Sequence, residues 1–244
     1  MSAKYILNGL SGNVGSLLKY RFTNFSQYHK DLITKDEEVF IHIVAKSQGR
    51  CEDIVRSNID YLLEVIEFCK KNNIKKIVFF SALSIYTKDD LYSTTKLLGE
   101  KILKESGLKV LVLRLPMILT ADATNGILNR IIHKLEQNKK IVLYNADRKF
   151  NNFIGVDDIY DFIINYNFKK DYELVNLASK KDSTLFEIVK FLKSLLNSKS
   201  KIIKSKHTND FFNVSLKKAV KKYNFKPTSS KKVLVKWIKK GATN

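Results

Sequence analysis

Five consecutive residues, Tyr92-Ser93-Thr94-Thr95-Lys96, set a phenol and an ammonium four positions apart. On a helix two such residues share one face, about one turn from each other. A free phenol keeps its proton up to a pH of about 10, so a neighbouring cation that favours the phenolate draws it toward acid/base work near neutrality. A solvated Tyr/Lys pair has the same spacing, and the pattern alone leaves both readings open. A second stretch, Asn8-Gly9-Leu10-Ser11-Gly12-Asn13-Val14-Gly15, is a GxxGxxG run behind a short apolar segment. Glycines there permit a tight turn from strand to helix and let backbone amides approach a pyrophosphate. The spacing differs from the commoner GxGxxG, so a plain strand-to-helix turn stands beside the phosphate reading. Cys51 and Cys69 lack the spacing of zinc or redox sites and read as structural thiols; no metal is expected.

These residues need a scaffold, and the hydrophobic pattern supplies one. Apolar strand signals at 4–8, 39–44, 77–80, 109–114, 141–143 and 173–175 alternate with helical spacing at 14–20, 54–68, 97–105, 126–137 and 156–166. Ser183-Thr184 starts a further helix, and Trp237 sits in a final amphipathic one. Such alternation predicts an α/β fold, a doubly wound parallel sheet of Rossmann type with helices on both faces, and a small, mostly helical C-terminal region. The glycine run then falls between the first strand and the first helix, and Tyr92 opens the helix that follows the strand at 77–80.

At 244 residues, with 44% hydrophobic and 28% charged residues, the chain has the composition of a folded protein with one main core. It contains no run of about 18 uncharged apolar residues, which argues against membrane insertion, and Met1 to Leu7 passes into a strand rather than a cleavable leader, so the cytoplasm is the expected location. The formal charge of +20 is unusual, with lysine doublets crowding the last fifth of the chain. A surplus of this size points to nucleic acid, an anionic membrane surface or acidic substrates. Lys, Ile and Asn richness of the kind an AT-rich genome produces explains it equally. Aromatics and lysines do not alternate as a stacking platform, and no nucleic-acid partner is expected.

Around Tyr92 and Lys96 the strand end Phe79-Phe80-Ser81-Ala82-Leu83-Ser84-Ile85-Tyr86 completes a pattern that, with the glycine run, resembles the short-chain dehydrogenase/reductases. Phe40-Ile41-His42-Ile43-Val44-Ala45, Asn58, Leu113-Arg114-Leu115-Pro116, Asn152-Phe153-Ile154-Gly155-Val156-Asp157-Asp158, Val175-Asn176-Leu177-Ala178-Ser179, Thr184-Leu185 and Tyr223-Asn224-Phe225-Lys226-Pro227 extend the likeness over almost the whole chain. They resemble the extended branch, the NAD-dependent epimerase/dehydratase family acting on nucleotide-linked sugars.

The resemblance implies NAD or NADP as cofactor, held by Gly9, Ser11, Gly12, Asn13, Val14, Gly15, Val44, Ala45, Asn58, Tyr92, Lys96 and Pro116. It implies Tyr92 as acid/base, Lys96 as its tuner and as a contact to the nicotinamide ribose, and Asn58, opening its helix, as a structural or relay residue. Ser81 and Ser84 are the candidate hydroxyls, and Asn125, Arg148 and Asn151 the candidate contacts to a nucleotide-sugar substrate. Residues 1–118, with 152–179 returning, are then the dinucleotide-binding domain, and 119–151 and 180–244 the substrate-binding region. The implied function is a reductase or epimerase for a nucleotide-linked keto-sugar in bacterial surface polysaccharide synthesis; the alternative is a catalytically degenerate NAD(P)-binding or scaffold protein. Family members often dimerise through the helices carrying Asn58 and Tyr92, so a homodimer is implied too.

Several positions depart from the family pattern. The catalytic hydroxyl, four residues before Tyr86, falls on Ala82. The Tyr86 to Tyr92 loop is short, and Asn151 stands where an arginine often meets the diphosphate, with Arg148 or Lys149 as substitutes. Leu83 and Ser84 replace the Asp-Glu pair of a dehydratase. Between Tyr20 and Val39 there is room for at most one short strand and no acidic ribose contact, while Arg21 or Lys19 is a candidate for a 2′-phosphate. His42 reads as a strand residue near the cofactor.

Overall fold

The computed structural model describes residues 4–34, 37–120, 126–209 and 212–241. In chain order its first half comprises β1 (Lys4–Leu7), α1 (Asn13–Lys19), β2 (Phe25–Gln27), β3 (Glu37–His42), α2 (Cys51–Val55), α3 (Tyr61–Lys71), β4 (Lys76–Ala82), α4 (Leu91–Lys104) and β5 (Lys109–Leu115). The remainder comprises β6 (Met117–Ile118), α5 (Ile127–Glu136), β7 (Ile141–Leu143), β8 (Phe153–Ile154), α6 (Val156–Ile164), β9 (Tyr172–Asn176), α7 (Leu185–Leu195), β10 (Ile202–Lys204), α8 (Lys217–Tyr223) and α9 (Ser230–Gly241). Six strands form one parallel sheet in the order β2-β1-β3-β4-β5-β9.

Burial on both faces explains the near-continuous apolar strands Lys-Ile-Val-Phe-Phe-Ser-Ala and Lys-Val-Leu-Val-Leu-Arg-Leu. Alternate side chains feed two cores. Leu7, Ile41, Val78, Leu111 and Leu113 meet α1, α6 and α8 on one face; Ile6, Phe40, Ile77, Phe79 and Val112 meet α3 and Leu103 on the other. A further core gathers α5, β7, α7 and α9 around Leu128, Ile188, Leu192, Leu234 and Trp237, whose indole N–H donates to the Thr120 carbonyl at 2.9 Å. Within the last part of the chain, Ala219 and Phe225 join the main sheet's core instead.

Parallel strands place all their carboxyl ends along one edge, and the order reverses beside β1, where β2 and β3 flank it. The Gly9 turn, Ile43–Ala45, Leu83 and Pro116 therefore share that edge, which is what makes a site there possible. The expected shortening of the second-strand region takes a definite form. β2 is three residues long and closes the sheet, and no further strand or helix lies among the described residues between it and β3. Tyr28 fills the space, its ring edge-on to Phe40 and Phe68 at 5.3 and 4.9 Å.

Two boundaries differ from expectation. α4 begins at Leu91, six residues before its apolar periodicity starts; its polar first turn is held by the Asp90 carboxylate accepting from the Ser93 amide, 2.8 Å away. Asn58 does not open a helix. It lies inside a continuous helical run, in a π-helical segment Arg56–Asp60 between α2 and α3, a widening that locally re-aims side chains.

Some of the lysines crowded near the carboxyl end have structural partners. The buried Glu173 carboxylate receives Lys218, Lys222 and the Tyr223 hydroxyl, Lys236 reaches Asp157 at 2.7 Å, and Lys204 reaches Asp147 at 2.5 Å. Burial alone would raise Glu173; its hydrogen-bond donors hold the carboxyl down to about 2.

Candidate active site

The glycine turn is built for close approach. Gly9 has φ +70°, in the left-handed region, and a methyl there would stand 3.2 Å from the Val44 amide nitrogen. A methyl at Gly15 would stand 2.0 Å from the Gly9 carbonyl oxygen, so only glycine lets α1 start against the turn. Ser11, Gly12 and Asn13 are exposed and Val14 half-buried at the opening of α1, whose first amides have no partner within the helix. This cradle fits the phosphates of a dinucleotide. Arg21 does not serve it: the guanidinium lies 2.5 Å from Asp157 and ties α1 to α6. Lys19 is exposed in the last turn of α1, the opposite end from the cradle.

Asn8 links the strands around this turn. Its side-chain oxygen accepts from the Ile43 and Val44 amides at 2.7 and 3.3 Å, and its amide donates to His42 Nδ1 at 2.9 Å. That bond puts the remaining His42 proton on Nε2, which is buried with no partner. Burial, then the Lys96 charge, lower His42 to about 3, so the ring stays neutral and acts as a strut stacked on Phe79 at 5.7 Å. Asn58 clamps the next loop: it accepts from the Lys46 amide at 2.7 Å and donates to the Lys46 carbonyl at 3.0 Å and to Thr95 Oγ1 at 2.9 Å. Half-buried Val44 and exposed Ala45 lie in the stretch so held, and half-buried Pro116 follows β5.

The hydroxyl candidates are already engaged. Ser81 is buried and donates to Glu100 Oε1 at 2.5 Å, while Arg114 grips the same carboxylate with two bonds of 2.8 and 2.6 Å. Its position within β4 turns it toward α4 and this ion pair, so it is no replacement for the hydroxyl that Ala82 lacks. Ser84, half-buried in the turn after β4, accepts from Ser93 Oγ at 2.8 Å and retains its own donor capacity.

Tyr92 and Lys96 lie on one face of α4 but do not tune each other in the expected direction. Burial, then Asp90, push the Tyr92 phenol up to about 12. Lys96 is 2% exposed and turned away, donating to the Phe80 carbonyl at 2.7 Å with its ammonium 4.6 Å from the Phe79 ring centre. Burial lowers it to about 7, against the pull of Glu100. The sequence pattern conveys adjacency along a helix; rotamer and desolvation decide the sign.

A cleft of about 530 Å³ lies between α5, β7, Asn209 and Phe212, lined by Arg130, Lys134, Tyr144, Asn145, Phe150 and Asn152 among others. Asn151 is fully buried and donates to the Val214 carbonyl at 3.1 Å, bracing the chain there, while its Oδ1 is buried without a partner among the described residues. Arg148 is exposed, its backbone bridging Asn145 and Leu185, and Lys149 donates to the Asp182 carbonyl. Asn125 lies outside the described residues. Arg130 and Lys134, one turn apart on α5, were not singled out from sequence; their i, i+4 spacing was the available signal.

Comparison with known proteins agrees with this architecture. An uncharacterized protein of Methanocaldococcus jannaschii is 25% identical over 215 residues, 76% of this chain and 65% of that protein, so the chain spans less than two thirds of its relative. Among solved structures, RMD from Pseudomonas aeruginosa complexed with NADPH superposes with a TM-score of 0.76 at 15% identity, covering 98% of this chain and all of that one. UDP-glucuronic acid 4-epimerase from Bacillus cereus in complex with NAD gives 0.72 at 19% identity, covering 97% and 99%. UDP-glucose 4-epimerase from Thermotoga maritima with UDP-glucose gives 0.74 at 16%, covering 98% and 99%. These likenesses establish the fold, and the sequence model of the NAD dependent epimerase/dehydratase family matches residues 35–178, more than half of the chain. The protein belongs to that family.

Proposed function

We propose that this chain binds NAD or NADP along the carboxyl edge of its sheet and acts as a reductase or epimerase on a nucleotide-linked keto-sugar. The observation that carries the reading is the gathering, at one edge, of a cradle only glycine can form, the Asn8 and Asn58 clamps, and the Tyr92/Lys96 helix start. A bound nicotinamide supplies the hydride chemistry. Tyr92 is the group placed to exchange a proton with the sugar oxygen; burial holds its phenol up to about 12, so work near neutral pH requires that value to fall when cofactor and substrate are bound. Ser84 offers the second hydroxyl at the site in place of Ala82. Arg130 and Lys134 offer charge to a diphosphate, and Tyr144, Phe150 and Phe212 offer faces to a base.

The family resemblance supports placing this reaction in the cytoplasm and in bacterial surface polysaccharide synthesis. Leu63 on α3 and Leu98 on α4, each 44% exposed, support a homodimer through those helices. Incubation with NADPH or NADH and a 4-keto nucleotide sugar tests the reading: turnover is expected, with Tyr92→Phe reducing it at least a hundredfold. Absence of turnover, or equal rates for Tyr92→Phe and the parent, refutes it. Ala82 and the sequestered Ser81 favour a second reading, a cofactor-binding protein without catalysis, which predicts binding and no turnover.

A further inference from the structure

We infer that this chain holds its cofactor by the nicotinamide half and the pyrophosphate, leaving the adenine base and the 2′ position of its ribose almost unread. The inference rests on the cofactor reading above. A dinucleotide-binding sheet is two mononucleotide-binding halves of three strands each, joined where strand order reverses. Beyond that point the second half is complete here: β3, β4 and β5 have six, seven and seven residues. The first half has only β1 and the three-residue β2, which forms the sheet edge.

At the end of β2 itself, among the described residues, neither a carboxylate nor an arginine stands. The usual contact there is a carboxylate for the ribose hydroxyls, or an arginine for a 2′-phosphate. Here the strand ends in exposed Gln27 and passes into Tyr28, and the exposed His29, Lys30 and Asp31 lie beyond it in the connection. The Tyr28 amide donates to the Leu7 carbonyl, and its ring is committed to Phe40 and Phe68 on the α3 face. Of the cations around the glycine turn, Arg21 lies against Asp157 and Lys46 is 3.3 Å from Asp53. The shortened connection thus turns Tyr28 and Leu32 into the core on the α3 face. The opposite side is rigidly built, with Asn8, His42 and Asn58 fastening the strand ends around the Gly9 turn.

Calorimetric titration of the full chain with NADH, NADPH and reduced nicotinamide guanine dinucleotide tests this, because the three share nicotinamide and pyrophosphate and differ only in the base or the 2′ group. Dissociation constants within tenfold of one another are expected. A difference of more than tenfold between NADH and either of the others overturns the inference while leaving the cofactor reading standing. Binding of none of the three removes the cofactor reading and this inference together.

Discussion

Lys96 carries the sharpest quantitative test of the site. Its ammonium is 2% exposed and rests on one carbonyl and one aromatic face, and burial lowers its pKa from 10.5 to about 7. The unfolded chain keeps that proton up to 10.5, whereas the folded protein releases it through about pH 7. Between those values the unfolded state binds more protons, so stability rises with pH. The full difference corresponds to about 5 kcal/mol at 1.36 kcal/mol per pKa unit. Over the practical window from pH 7 to pH 9 the gain expected from Lys96 is about 2 kcal/mol, and the opposing contribution of Cys69, which begins to ionise there only in the unfolded chain, is common to parent and variant. Lys96→Met keeps the buried stem and removes the titrating group. Urea unfolding followed by circular dichroism at pH 7, 8 and 9 then yields a parent curve that climbs relative to the variant. The slope is the readout, because the variant also strands the Phe80 carbonyl and so shifts absolute stability. A constant difference between parent and variant across the window refutes the argument that burial governs Lys96.

Other perturbations probe the supports of the site. Gly15→Ala forces a methyl to within 2.0 Å of a backbone oxygen; a loss of about 1–3 kcal/mol or more in unfolding free energy is expected, together with loss of dinucleotide binding in calorimetry, and unaltered binding contradicts the cradle. Glu100→Gln leaves Arg114, whose side chain is 11% exposed, without its anion, at an expected cost of about 3–5 kcal/mol in urea unfolding; a loss below 1 kcal/mol, on the order of a surface pair, contradicts that network. Asn58→Ala orphans both backbone groups of Lys46, so about 1–3 kcal/mol should be lost, with faster hydrogen exchange at the Lys46 amide as the local signature; unchanged exchange there contradicts the clamp.

Legibility varied from residue to residue for physical reasons. The strand at 109–114 and the helix at 126–137 emerged within a residue or two, because uninterrupted apolar runs and 3.6-residue spacing are local properties. The start of α4 emerged from the Tyr92/Lys96 pattern and not from periodicity, since Tyr-Ser-Thr-Thr contributes no apolar period and the cap depends on Asp90 finding the Ser93 amide. The shortage of sheet between Tyr20 and Val39 was visible. That the missing piece is the strand beyond β2, and that Tyr28 seals the gap, was not, because strand order depends on pairing between distant segments.

The order of residues by itself determined the α/β class, the position of the glycine turn, the Tyr92/Lys96 spacing and the loss of the Ala82 hydroxyl. Each of these is written in neighbours along the chain. Only the tertiary structure decided that Ser81 belongs to Glu100, that Arg21 belongs to Asp157, that Asn151 is a brace, and that Tyr92 and Lys96 depart from their ordinary proton affinities through burial more than through each other. The reason is common to all four: partner choice and desolvation arise when segments tens of residues apart are packed together, and no local pattern encodes which way a side chain then turns.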